Sequence, residues 1–395
     1  MSDQQQHPPL SPEQISTYLQ DGVLVVDNLL SPSEINRAQT SLAQTLLDDL
    51  NVDITNLEQT GHNLTKASST NGAGGVLDIF YPEWKMKIAT NETLFRMTCQ
   101  LWKEAYCNGE TEDDVRWHPY GTFDCNKGYM YIDRIGFRLP SELAERIGEA
   151  KTLNDEEIAA NALTTKKKKK KSRAIQRSLT PHFDLCPETY HDATNKNKWR
   201  PIQCFVSLTD NLQPNTGGFE AAPGFHREFH SWVQRGRRLS GSDIGDTAAG
   251  EKMMTPSQQP CIGEYTHVHD RELMKRVQHV PVKAGSVVFW DNRLPHGNSY
   301  RNDNGYDGKI PSATPLESCG ARAVVYCSFL PDVSINRRFV ERQLIDWKLG
   351  RAPRVGDRWI KQDESDEIAN GDVRNNEMEG QLSALGRKLI GLDEW

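Results

Sequence analysis

Long apolar runs are missing from this 395-residue chain. The longest, such as GVLVV and SVVFW, fall far short of a bilayer-spanning helix. The opening MSDQQQHPPL lacks the apolar core of a secretory signal, and the closing GLDEW carries no peroxisomal or retention address. An intracellular, cytoplasmic location is therefore expected. Basic excess is missing too: the net charge is −7, so nothing in the overall balance calls for nucleic acid or an anionic membrane. None of the eight cysteines falls in a CxxC pair, and reduced thiols are expected. No P-loop lysine and no GxGxxG spacing accompany NGAGG at 71–75, so this stretch reads as a flexible loop rather than a phosphate cradle. Internal repeats are absent.

What is present is ordered along the chain. Residues 1–10 read as a disordered tail. Ser11-Pro12 with Gln14, and Ser31-Pro32 with Glu34, carry the same capping-box start signal for two helices. Gly22 stops the first, and VLVV reads as a strand after it. Residues 91–107 read as helix. YMYIDRIGFRLP reads as one strand with Ile135, Phe137 and Leu139 on one side. A basic insertion is expected at about 141–178, where two short helical patterns precede Lys166 to Lys171. Six adjacent like charges repel and stay solvated, so a mobile surface loop is favoured over a nucleic-acid patch. From 199 onward PIQCFVSL, GGFEAAP, QHVPVKAG, GSVVFWD and ARAVVYCSFLP alternate with turn clusters, which suggests an antiparallel sandwich or jelly roll. Residues 346–395 read as a polar, partly helical extension packed outside the core.

The chemistry begins at TPHFD. On a strand, residues two apart share a face, so His182 and Asp184 aim an imidazole and a carboxylate at one point while Phe183 faces away. His296, in LPHGN, is the candidate third ligand; like His182 it follows a proline. Two histidines and one carboxylate brought together on a β-barrel form a facial triad suited to non-haem Fe(II). Alternation in ARAVVYCSF puts Arg322, Val324 and Tyr326 on one face. An arginine there is costly to bury without an anion, and a small diacid reaching the metal through its other end would satisfy both charges. Other histidines fit less well. HREFH places Glu228 wrongly for a zinc-protease motif, so His226 and His230 read as structural. THVHD puts His267 and His269 in a polar stretch that reads as an exposed loop.

These pieces, with SLTDNLQPNTGGFEAAPGFH and AGSVVFWDNRLPHGNSYRN, resemble the phytanoyl-CoA dioxygenase family of Fe(II)/2-oxoglutarate-dependent oxygenases over roughly residues 11–331. The resemblance implies an α+β fold with a mainly β core, a double-stranded β-helix (jelly-roll or cupin-like) with flanking helices. A single catalytic domain is expected over 11–345. It implies Fe(II) bound by His182, Asp184 and His296, 2-oxoglutarate held by Arg322, and O2 as the oxidant. Asn298 and Gln203 are carried over as further cosubstrate contacts. Arg301, five residues past His296, is the rival carboxylate anchor, because DNGYDGKIPSATPLESCG lengthens the stretch before Arg322. The implied reaction hydroxylates a C–H bond of a small organic substrate and releases succinate and CO2; the carboxylate at 184 argues against halogenation. Tyr129, Tyr131 and Trp290 either line the pocket or fill the core. The alternatives are a non-catalytic cupin-like binding module, or an oxygenase guided to a macromolecule by Lys166–Lys171. No membrane span and no nucleic acid partner are expected.

Overall fold

The computed structural model describes residues 9–107, 114–161, 173–190, 198–235, 265–306, 316, 319–353 and 379–395. The N-terminal tail through residue 8 and the Lys166–Lys171 run lie outside the described residues. Its strands are β1 (Val23–Val26), β2 (Val76–Leu77), β3 (Gly128–Tyr131), β4 (Ile135–Arg138), β5 (His182–Phe183), β6 (Ile202–Ser207), β7 (Phe219–Ala221), β8 (Thr266–His267), β9 (Gln278–His279), β10 (Val287–Asp291), β11 (His296–Asn298) and β12 (Arg322–Pro331). They form a seven-stranded sheet, β1-β10-β6-β12-β4-β2 with β3 also on β12, and a five-stranded sheet, β8-β5-β11-β7-β9. Every pairing of these strands is antiparallel.

The larger sheet is covered on both faces, which explains its near-continuous apolar strands. One face presents Cys204, Val206, Phe289, Val325 and Phe329 to a core shared with the helices Pro32–Leu50 and Glu92–Ala105. The other presents Phe205, Val288, Trp290 and Val324 to Phe219 and Ala221 of the smaller sheet. Strand periodicity fixes this sorting: residues two apart on β6, β10 and β12 belong to the same core.

The two capping boxes form as the sequence dictates, Ser11 with Gln14 and Ser31 with Glu34, and Gly22 closes the first helix in the left-handed region at φ 68°. Other expectations are corrected. The segment 128–138 is two strands rather than one, since Ile132–Arg134 leave the sheet between β3 and β4, which pair with successive stretches of β12. The glycine-rich stretch 71–75 is not a flexible loop: Gly72 to Gly75 are buried, and Gly75 accepts a backbone hydrogen bond from Phe137. The region 141–178 opens as one helix, Ser141–Asn161, whose Leu143, Ala144 and Ile147 enter the main core. The C-terminal segment does not pack outside it either, for Trp347, Leu389 and Ile390 are buried there. Cys99, Cys107, Cys125, Cys204, Cys319 and Cys327 are free thiols, whereas Cys186 is held in a disulfide. Among the described residues no helix is long and apolar enough to cross a membrane.

One half-buried histidine is expected to make the fold acid-sensitive. His118 packs on Trp199 at 4.1 Å, donates Nε2–H to the Tyr106 carbonyl at 3.1 Å and accepts the Tyr120 N–H on Nδ1 at 3.3 Å. Protonation would set two donors face to face at Nδ1, and burial already pulls the ring down to about 4. Its folded value lies below the unfolded one, so its stabilising effect is present above about pH 6.5 and is lost as pH falls towards 4. Urea titration at about pH 7 and about pH 5 is expected to show a loss of about 1 kcal/mol from this ring, allowing for its partial contact with water. His118→Gln should flatten that part of the profile.

Candidate metal centre

The smaller sheet brings the two remote histidines together by direct pairing: His182 on β5 stands opposite His296 on β11. Asp184, two residues on, returns to the same side. Phe183 turns the other way, onto Phe225, Phe229 and Trp232. His182 Nε2 lies 3.4 Å and His296 Nε2 3.6 Å from the Asp184 carboxylate oxygens, and the imidazole centroids are 4.5 Å apart. Among the described residues this is the one group of three potential ligands whose atoms all lie within 4.8 Å.

Both rings are oriented by the chain around them. His182 donates Nδ1–H to the Thr180 carbonyl at 2.9 Å, and His296 donates Nδ1–H to the Leu294 carbonyl at 3.1 Å. Those bonds fix one tautomer and leave each Nε2 lone pair facing the shared point. Burial and the neighbouring His182 hold His296 below its ordinary value, which favours the neutral ligand form. Arg200 donates to Asp184 Oδ2 at 3.3 Å and to Asp133 Oδ2 at 3.4 Å, with its guanidinium 4.5 Å above the Tyr131 ring.

The centre opens into a cavity of about 210 Å³, lined among others by Gln203, Phe219, Trp290, Arg322, Tyr326 and Tyr265. Arg322 is 2 % exposed, and its Nη1 has no hydrogen-bond partner. The rival Arg301 is exposed and donates Nε–H to Asp303 at 2.6 Å, so it faces solvent. Gln203 donates its amide to Asn292 at 2.6 Å. Asn298 lines the cavity but spends its amide on the main chain, accepting from Leu179 N–H at 2.6 Å and donating to the Gly74 carbonyl at 3.2 Å. It thus ties the His296 strand to the buried glycine segment, with one lone pair and one N–H left over. Trp290 is a lining residue, whereas Tyr131 packs on Phe339. His226 is structural, bonded to the Leu19 carbonyl, and His267 and His269 are exposed.

Sequence reasoning missed Tyr265, whose ring stacks on His182 at 4.4 Å, and the Asp133–Arg200 support of Asp184. Neither carries a local motif: each depends on which loop the fold lays over the site.

The family profile for phytanoyl-CoA dioxygenase matches residues 18–305. None of the curated proteins matches the chain. Among solved structures, the product of GlcNAc Inducible Gene 2 (DUF1479) from Candida albicans is similar, with 13 % identity, a TM-score of 0.61, and coverage of 99 % of this chain and 78 % of that one. A putative oxidoreductase from Salmonella typhimurium LT2 aligns at 11 % identity and TM-score 0.55, over 97 % and 83 % of the two chains. A hypothetical protein, JW0805, from Escherichia coli does so at 11 % and 0.53, over 97 % and 82 %. At such identities these likenesses speak for the fold.

Proposed function

Because the chain belongs to the phytanoyl-CoA dioxygenase family, we propose that it is an Fe(II)/2-oxoglutarate-dependent oxygenase that hydroxylates a C–H bond of a small organic substrate on a double-stranded β-helix scaffold. One observation carries this reading: two imidazoles, each held at Nδ1 by a backbone carbonyl, and a carboxylate converge beside a buried arginine whose Nη1 has no hydrogen-bond partner.

The donor set fits the metal. Two nitrogens and one carboxylate oxygen on one side of a site, with the other side open to a cavity, suit non-haem Fe(II). His182, Asp184 and His296 would hold the ion, and Arg322 would hold the distal carboxylate of 2-oxoglutarate. When bound, iron with this cosubstrate supplies the oxidising chemistry, consuming O2 and releasing succinate and CO2.

The chain's own residues bind and orient. Thr180 and Leu294 keep the imidazole protons on Nδ1. Arg200 keeps the Asp184 carboxylate aligned and charged. Phe219, Trp290 and Tyr265 wall the centre with rings that exclude water. The small cavity supports a small substrate rather than a macromolecule. Anaerobic addition of 2-oxoglutarate to the Fe(II)-loaded protein is expected to give a weak visible absorption band, absent with either component alone. A folded, iron-loaded protein without that band would defeat the proposal.

A further inference from the structure

Arg322 has a neighbour that the candidate site does not yet employ. Arg138 stands directly opposite it across β4 and β12, so the two side chains leave the sheet on one face, roughly 5 Å apart at Cβ. Both are buried, 3 % and 2 % exposed. Like charges in that position repel, and buried charge without a partner costs more still. The Phe205 ring lies 5.2 Å from the Arg322 guanidinium carbon, but hydrogen-bond partners are few. Arg138 donates Nη2 to the Tyr300 carbonyl at 3.1 Å, but its Nε and Nη1 have no partner, nor has Arg322 Nη1. Among the described residues no carboxylate forms an ion pair with either. Burial and then Arg322 pull Arg138 down to about 10, which still leaves it protonated near neutrality.

Two glycines border Arg138. A Cβ on Gly75 would come within 2.7 Å of the Arg138 Cα, and one on Gly217 within 3.4 Å of its Cδ. Both glycines have positive φ, 64° and 72°. Gly75 thus lets its segment run close against the β4 backbone at Phe137 and Arg138, and Gly217 packs against Asn302 and the Arg138 stem.

We propose that Arg138 is a second anion anchor, which with Arg322 grips the distal carboxylate of the cosubstrate. This rests on the oxygenase reading above. A carboxylate offers about four lone-pair directions, enough for a fork from one guanidinium and a further bond from the other. The bound anion would cancel the repulsion and occupy donors the fold leaves empty. Arg138 is then a positioning and affinity residue that stands behind Arg322 on the neighbouring strand, while Arg322 itself lines the cavity.

The test uses the full chain loaded with redox-silent Zn(II), titrated calorimetrically with 2-oxoglutarate and with 2-oxopentanoate, which keeps the chelating head but ends in a methyl group. Arg138→Gln is expected to weaken 2-oxoglutarate binding by about 10-fold or more and to leave 2-oxopentanoate within about twofold. Without ligand, the same variant should melt no lower than wild type, because a buried repulsion has been removed. Arg138→Lys keeps the charge but loses the fork, and should fall in between; it serves if the glutamine variant does not fold. A folded Arg138 variant that binds 2-oxoglutarate as tightly as wild type overturns the proposal and leaves the oxygenase reading standing. A wild type that binds neither oxoacid defeats that reading and this one together.

Discussion

Replacing His296 by alanine is expected to lower metal affinity by more than the roughly 10–100-fold that loss of a supporting hydrogen bond to a ligand costs. The reason is the count of donors. Both imidazoles commit Nδ1 to backbone carbonyls, so each offers one nitrogen, and removing His296 leaves one nitrogen and one carboxylate. Among the described residues no other group of ligand atoms converges to take over. The stability of the fold should change less than the affinity, because β11 pairs with β7 over three residues through main-chain contacts that alanine keeps. Zn(II) calorimetry on the variant, beside circular dichroism, separates the two effects. His267→Ala is the control: its ring is exposed, and affinity should stay at the wild-type value. Unchanged metal binding in His296→Ala would mean that the triad is not the site.

The second large effect falls on the cosubstrate. Arg322→Gln is expected to weaken 2-oxoglutarate binding by about 1.5–3 kcal/mol, the range for hydrogen bonds to a charged group, with metal affinity unchanged. Arg301→Gln should leave both alone, since that side chain lies in solvent against Asp303. Equal losses from the two variants would place the anchor elsewhere.

Much of this was legible in the sequence, and the parts that were share a physical basis. The pairing of residues two apart aimed His182 and Asp184 at one point, and the same alternation on β12 turned Arg322 and Tyr326 inward. The unbroken apolar character of β6, β10 and β12 follows from their burial on both sides. What escaped depended on long-range register or on loops. Arg138 lies in a strand read for its apolar face, and its importance appears only once β12 is laid beside β4. The glycines at 72–75 look like slack, yet they are buried where a strand and an arginine pass close by. Arg200 reaches Asp184 and is itself held by Asp133, with no motif shared among the three. Leu389 and Ile390 sit in a polar neighbourhood of sequence, but each fills a place in the core.

The direct opposition of His182 and His296 has a consequence for how such a chain can change length. Side chains alternate with a period of two, so adding one residue between His182 and Asp184 would reverse parity and carry the carboxylate to the wrong side. Segments that join the strands from outside escape this arithmetic and can grow or shrink by odd or even steps. Insertions that preserve the centre should therefore concentrate in the connections, and a single residue inserted between His182 and Asp184 should cost metal binding.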